Sequence, residues 1–187
     1  MTPAVFLDRD GTLIQESGYL DRLDRLEFFP YSVDAVRLLN RAGRRVVVVS
    51  NQSGIARGLV SETFVEEAHA AIARRLEAGG ARVDGFFYCP HHPQAVRDEY
   101  RRACDCRKPA PGMLHEAARR LGLDLERSVV VGDRWDDVGA ARAVGARGVL
   151  VRTGYGREAE AKPRAGLDAD AVTDNLAGAA AWILQHS

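Results

Sequence analysis

The chain has no net charge, few sulfur atoms and no long apolar run. Its 26 Lys and Arg offset 26 Asp and Glu, so no overall field draws it to nucleic acid or to an anionic membrane. An anionic ligand must then be held by a few placed groups. No stretch approaches the roughly 20 apolar residues of a membrane-spanning helix. The opening Met1-Thr2-Pro3-Ala4 lacks the basic-then-apolar order of a secretory leader. Cysteine occurs three times, an odd number, and Cys104 and Cys106 are separated by one residue. That arrangement does not make a disulfide framework and points to a reducing cytoplasm with thiols used for something else. What is present, 46% hydrophobic and 28% charged residues over 187 positions, suits one globular domain with a good core, here 1–187. Balanced charge and a compact domain fit a monomer.

Apolar runs alternate with amphipathic segments. Ala4-Val5-Phe6-Leu7, Val46 to Val49, Phe86-Phe87-Tyr88, Val129-Val130-Val131 and Val149-Leu150-Val151 read as strands buried on both faces. Helices are predicted from Val33 to Arg41 before Gly43, from a Ser61 cap to Ala78, from Pro111 to Gly122, from Asp136 to Val144 and from Asn175 to Gln185. The last should pack Trp182 and Ile183 on the body. Tyr155 to Ala171 lacks periodicity and is expected to be a surface loop. The alternation predicts an α/β fold with a doubly wound, mostly parallel sheet.

Several runs end in chemistry-bearing residues. After the first come Asp8-Arg9-Asp10-Gly11-Thr12, two acids at the carboxyl end of a strand, where open α/β sheets bind ligands. Asp and Gly also make ordinary turns. Paired acids at a buried strand end need a cation; Asp8 is then placed to attack phosphorus and Asp10 to manage protons. Val49 leads into Ser50-Asn51-Gln52-Ser53-Gly54, whose hydroxyl and backbone amides suit phosphoryl oxygens. Lys108, in Arg107-Lys108-Pro109, can hold phosphoryl and carboxylate charge. Asp133, in Gly132-Asp133-Arg134-Trp135-Asp136-Asp137, suits a Mg²⁺ ligand, while Asp136 or Asp137, with Asp136 the better candidate, can cap the next helix.

In this order these motifs resemble those of the haloacid-dehalogenase-type phosphatases, over nearly the whole chain. The resemblance implies a Rossmann-like fold, an aspartyl-phosphate formed on Asp8, and Asp10 as proton donor and then acceptor. It further implies Mg²⁺ held by Asp8, the Asp10 carbonyl and Asp133, with Ser50, the Asn51 amide and Lys108 on the phosphoryl oxygens.

Cys89-Pro90-His91 and Cys104-Asp105-Cys106 bracket a polar loop at about 89–106. Three Cys and one His make a complete tetrahedral Zn²⁺ set, with His91 fitting the symmetry better than His92. Such a site is structural, ordering the loop and placing Arg107-Lys108. With this loop, the chain is similar to the D-glycero-D-manno-heptose 1,7-bisphosphate 7-phosphatases and, more loosely, to histidinol-phosphatase domains. The similarity implies no large cap domain and a phosphorylated sugar as small-molecule partner. The expected reaction is removal of the 7-phosphate of a heptose bisphosphate, with the β anomer favoured, for lipopolysaccharide or another surface glycan. Histidinol-phosphate phosphatase or a broader sugar-phosphate phosphatase is the alternative. Substrate contacts implied are Glu16, Ser17, Gly18, Tyr19, Gln52, Ser53, Arg107 and Arg134; Ser50 stands where threonine is common.

Overall fold

The computed structural model describes residues 1–186. Six parallel strands form one sheet: β1 (Thr2–Leu7), β2 (Arg45–Asn51), β3 (Gly85–Cys89), β4 (Leu123–Gly132), β5 (Arg147–Val151) and β6 (Ala171–Thr173), in the order β3-β2-β1-β4-β5-β6. The order reverses direction at β1, and that topological switch creates a crevice at the strands' carboxyl ends.

Alternate residues of the apolar runs feed two cores. Val5, Leu7, Val46, Val48, Val129, Val131, Val149 and Val151 pack on one face. Helices α1 (Ser32–Arg41), α3 (Glu62–Ala78) and α7 (Leu176–Gln185) cover that face. In α1 the buried residues Ser32, Ala35, Val36 and Leu39 recur at the spacing of one helical stripe. On the other face, Ala4, Phe6, Val47, Val49 and Val130 meet α4 (Gly112–Leu121) and α5 (Trp135–Ala143). Both faces are therefore dry, which is why the strands read as continuous β-branched runs rather than as alternating ones.

The expected punctuation acts as its chemistry dictates. Ser61 Oγ accepts the Phe64 N–H at 3.0 Å, a cap of a kind that contributes about 1 kcal/mol. Gly122, with φ at +67°, closes α4 in the left-handed conformation. Ile183 is buried against the first core and Trp182 is partly buried there.

Two readings are corrected. The Tyr155–Ala171 stretch is not one loop: it holds the short helix α6 (Gly156–Ala161) and runs into β6 at Ala171. Both elements are too short for a periodic signal and are held by neighbours, β6 by pairing with β5. The side chain that caps α5 is Asp137, whose Oδ2 accepts the Arg134 N–H at 3.1 Å, whereas Asp136 pairs with Arg164 at 3.0 Å. The connections that flank the crevice hold only single turns of 3₁₀ helix, at Leu23–Arg25 and Asp98–Tyr100, and the four-residue α2 (Ser53–Ala56). No large cap domain is present among the described residues.

Candidate functional site

Parallel register sets the catalytic edge. Leu7 lies level with Val48 of β2 and with Val131 of β4, and the Asp8 N–H donates to the Val131 carbonyl at 2.9 Å. One step beyond the sheet, Asp8, Ser50 and Asp133 therefore converge although 125 positions separate the first from the last. Lys108 arrives differently. It lies well past β3, in the loop before α4, rather than directly at a strand end. The Asn51 side chain clamps its backbone, Oδ1 accepting the Lys108 N–H and Nδ2 donating to the Lys108 carbonyl, both at 3.0 Å. This aims the buried ammonium at Asp8 Oδ1 and Asp137 Oδ1, each 2.6 Å away, and at the Val49 carbonyl at 2.8 Å.

Asp10 is held by a residue to which its sequence position gave no role. Arg9, only 2% exposed, donates from Nε and Nη2 to the two Asp10 carboxylate oxygens at 3.0 Å, and from Nη2 to Gln52 Oε1 at 3.0 Å. Gln52 Nε2 in turn donates to Asp10 Oδ2 and Ser50 Oγ at 3.1 Å each. The Gln52 side chain thus serves the protein's own acid and hydroxyl, and the Asn51 side chain serves Lys108.

Asp133 completes the edge. It is fully buried; Oδ2 accepts the Tyr155 N–H at 2.8 Å, and Oδ1 has no partner. Gly11, at φ +84°, lies so close that a Cβ there would collide with the Asp133 carboxyl. Electrostatics show what the edge lacks. Lys108 is shared by Asp8 and Asp137, Arg9 pairs with Asp10, and Asp133 makes no ion pair among the described residues. Burial pushes the Asp8 carboxyl well above its usual range, Lys108 opposes this, and the Asp137, Asp133 and Asp10 charges add to the rise. Burial, then Asp137, raises Asp133 to about 7. Burial alone would lower the Lys108 ammonium, but Asp137 and Asp8 outweigh it and raise it. Two cations face four acids, and one buried carboxylate oxygen, Asp133 Oδ1, has no hydrogen-bond partner. That donor set fits a hard divalent cation with oxygen ligands.

Above this floor opens a cleft of about 310 Å³. Glu16, Gly18, Tyr19, Ser53, Arg107 and Arg134 line it. Glu16 accepts the Gly18 N–H at 2.6 Å; burial, then the Asp10 charge, raises its carboxyl above the usual value. Ser17 is the exception. It does not line the cleft, and its carbonyl accepts from Arg25 Nη2 at 2.9 Å, tying the turn down from outside. Arg57, His92 and Tyr155, which carried no sequence signal, do line it.

The second cluster is local. The ligand atoms of Cys89, His91, Cys104 and Cys106 lie within 4.8 Å of one another. The sulfurs are 3.1 to 3.5 Å apart, and His91 Nδ1 is 3.3 Å from Cys106 Sγ and 3.7 Å from Cys89 Sγ. Bonds of about 2.3 Å to a tetrahedral zinc imply edges of about 3.8 Å, so a small outward shift opens the cluster to that ion. All three cysteines are free. Burial raises the Cys89 and Cys106 thiols above their usual value, which a bound cation would reverse. Tyr88 and Tyr100 both donate to Glu62, at 2.7 and 2.6 Å, and fasten the loop to the start of α3.

Comparison with known proteins agrees with this geometry. A family model described as HAD-hydrolase-like matches residues 105–179. The chain is 45% identical over 184 residues to the D-glycero-beta-D-manno-heptose-1,7-bisphosphate 7-phosphatase of Escherichia coli K12, covering 97% of this chain and 88% of that protein. To the enzyme of the same name from Photorhabdus laumondii it is 41% identical over 174 residues, covering 92% of each. The crystal structure of the D,D-heptose 1,7-bisphosphate phosphatase from B. bronchiseptica, complexed with magnesium and phosphate, superimposes with a TM-score of 0.88 at 37% identity, covering all of both chains.

Proposed function

The chain belongs to the D-glycero-β-D-manno-heptose-1,7-bisphosphate 7-phosphatase family, and from that premise we propose that it removes the 7-phosphate of the β anomer of that sugar. The product, a heptose 1-phosphate, feeds nucleotide activation of heptose for a surface glycan. The observation that carries the proposal is the meeting of Asp8, Lys108 and Asp133 at one sheet edge, with Asp10 held alongside.

In this reaction an Asp8 carboxylate oxygen attacks phosphorus in line, and Lys108 beside it favours the ionised nucleophile against the burial and neighbouring acids that raise its pKa. As the bond from phosphorus to the sugar oxygen breaks, Asp10 gives that oxygen a proton. Asp10 then takes a proton from the water that attacks the aspartyl-phosphate, and cleavage of its P–O bond frees phosphate and restores Asp8. Arg9 and Gln52 orient the Asp10 carboxyl for both proton transfers. The Ser50 hydroxyl, the Asn51 amide and Lys108 hold the equatorial oxygens, a task of positioning and charge stabilisation. Asp8, the Asp10 carbonyl and Asp133 would hold a magnesium ion, which would supply the positive charge that the four acids and the phosphoryl group still need. Arg107 and Arg134, on the wall of the cleft, favour a substrate with a second phosphate.

Zinc on Cys89, His91, Cys104 and Cys106 fills a four-ligand structural site that fixes the loop leading to Arg107 and Lys108. The chain works as a single-domain monomer.

Steady-state kcat/KM on both heptose 1,7-bisphosphate anomers, histidinol phosphate and fructose 1,6-bisphosphate tests the proposal. The β-heptose bisphosphate should lead; a clear preference for histidinol phosphate overturns the substrate assignment.

A further inference from the structure

The Arg134 guanidinium lies face-on over the Tyr155 ring, 3.8 Å from its centroid. None of its N–H groups makes a hydrogen bond or ion pair among the described residues, and both side chains line the cleft. A free arginine on a cleft wall samples many rotamers, and fixing it costs binding energy. An aromatic face under the guanidinium plane removes that freedom and leaves the planar fork open at its edge, the geometry that phosphate oxygens accept.

The backbone beneath the ring is tied down on both sides. The Tyr155 N–H donates to Asp133 Oδ2, and Thr153 Oγ1 donates to the Gly11 carbonyl at 2.6 Å. Gly154 and Gly156 flank Tyr155 because a Cβ at the first would strike the Asp133 carboxyl and at the second the Val151 carbonyl. On the far side Arg152 is tied to Glu160 and Asp174 at 2.7 and 2.9 Å. The turn after β5 is thus wedged between the loops that carry Asp10 and Asp133.

From this we infer that Tyr155 is a positioning residue for substrate selection: its ring presents Arg134 to the second phosphate of the sugar bisphosphate. The inference rests on the bisphosphatase reading given above. The side chain's task is separable from the backbone's, since every residue but proline retains the N–H that orients Asp133.

The experiment is a double-mutant cycle on the magnesium-loaded enzyme, read with heptose 1,7-bisphosphate and with p-nitrophenyl phosphate, which has no second phosphate. Tyr155→Ala should raise KM for the bisphosphate about two- to fivefold, the magnitude of an exposed cation–π contact. On p-nitrophenyl phosphate it should lose distinctly less kcat/KM. Tyr155→Leu should behave like alanine, and Tyr155→Trp should restore the lower KM. In an Arg134→Ala background, Tyr155→Ala should add nothing. Equal losses on both phosphates, independent effects of the two substitutions, or a leucine variant equal to wild type would each overturn the inference. Failure of the wild type to prefer the heptose bisphosphate would instead strike the underlying reading, and the cycle would then be read on whichever bisphosphate the enzyme turns over.

Discussion

The catalytic edge and the cysteine loop both gather more anionic or metal-ligating groups than their own cations can balance, yet they are built in opposite ways. The edge draws Asp8, Ser50, Lys108 and Asp133 from most of the chain's length and bolts them to a sheet buried on both faces. The loop draws its four ligands from within Cys89 to Cys106 and has one 3₁₀ turn as its only regular element. Strand register and the Asn51 clamp set the geometry of the edge. The loop meets the second core through Cys89, Cys104 and Cys106 and is tied to α3 through Tyr100 and Glu62, so much of its order rests on the cluster. Loss of a group should therefore remove chemistry from the edge but structure from the loop.

The sharpest way to break that contrast is Asp8→Asn. Turnover should fall by on the order of 10⁴-fold or more, while thermal melting stays within a few degrees of wild type, since Lys108 retains Asp137. Phosphate release and a melting curve check both parts, and collapse of the fold would show that the edge is structural after all.

Next in size is Cys106→Ser. Metal analysis should find about one zinc per chain in the wild type and far less in the variant. Protease nicking should appear within 89–106 while the sheet's circular dichroism signal persists. Activity should drop at least about tenfold, because Lys108 lies two residues on and a displacement of about 1 Å can cost 10²-fold. Full activity in a zinc-free variant would separate the loop from the chemistry.

The smallest effect lies where the two regions meet. His69, on α3, stacks on Phe86 of β3 with ring centroids 4.8 Å apart, and its buried Nε2 has no partner. Burial, helped by the Arg9 charge, lowers its pKa to about 3. The unfolded chain binds a proton below about 6.5 that the folded one refuses, so stability is complete above that pH and declines toward pH 3. His69→Phe should remove this contribution. Between pH 7.5 and 5.5, urea unfolding should show the wild type losing roughly 1 kcal/mol more than the variant; parallel losses would mean that His69 is charged in the fold.

Much of this was legible in the residues. Five strands stand where β-branched and aromatic runs lie, and Ser61 and Gly122 end helices as cap chemistry requires. The cysteine set was legible because its spacing is local. Tyr155–Ala171 was misread because α6 and β6 owe their form to β5 rather than to their own pattern. Asp137 passed for a possible cap, and it is one, but its other oxygen serves Lys108, 29 positions away. Nothing in Arg9's neighbours announced that it would be buried and would chelate Asp10.

By itself the sequence determined which residue types end each strand, which four side chains can close on a soft ion, and the family to which the chain belongs. Those are properties of short spacings and of residue chemistry. Only the tertiary structure decided that Lys108 bridges Asp8 and Asp137, that Arg9 holds Asp10, and that Tyr155 underlies Arg134. Each of those contacts depends on parallel register and on crossovers that span tens of residues, and charge compensation inside a dry site is a property of the whole assembled edge.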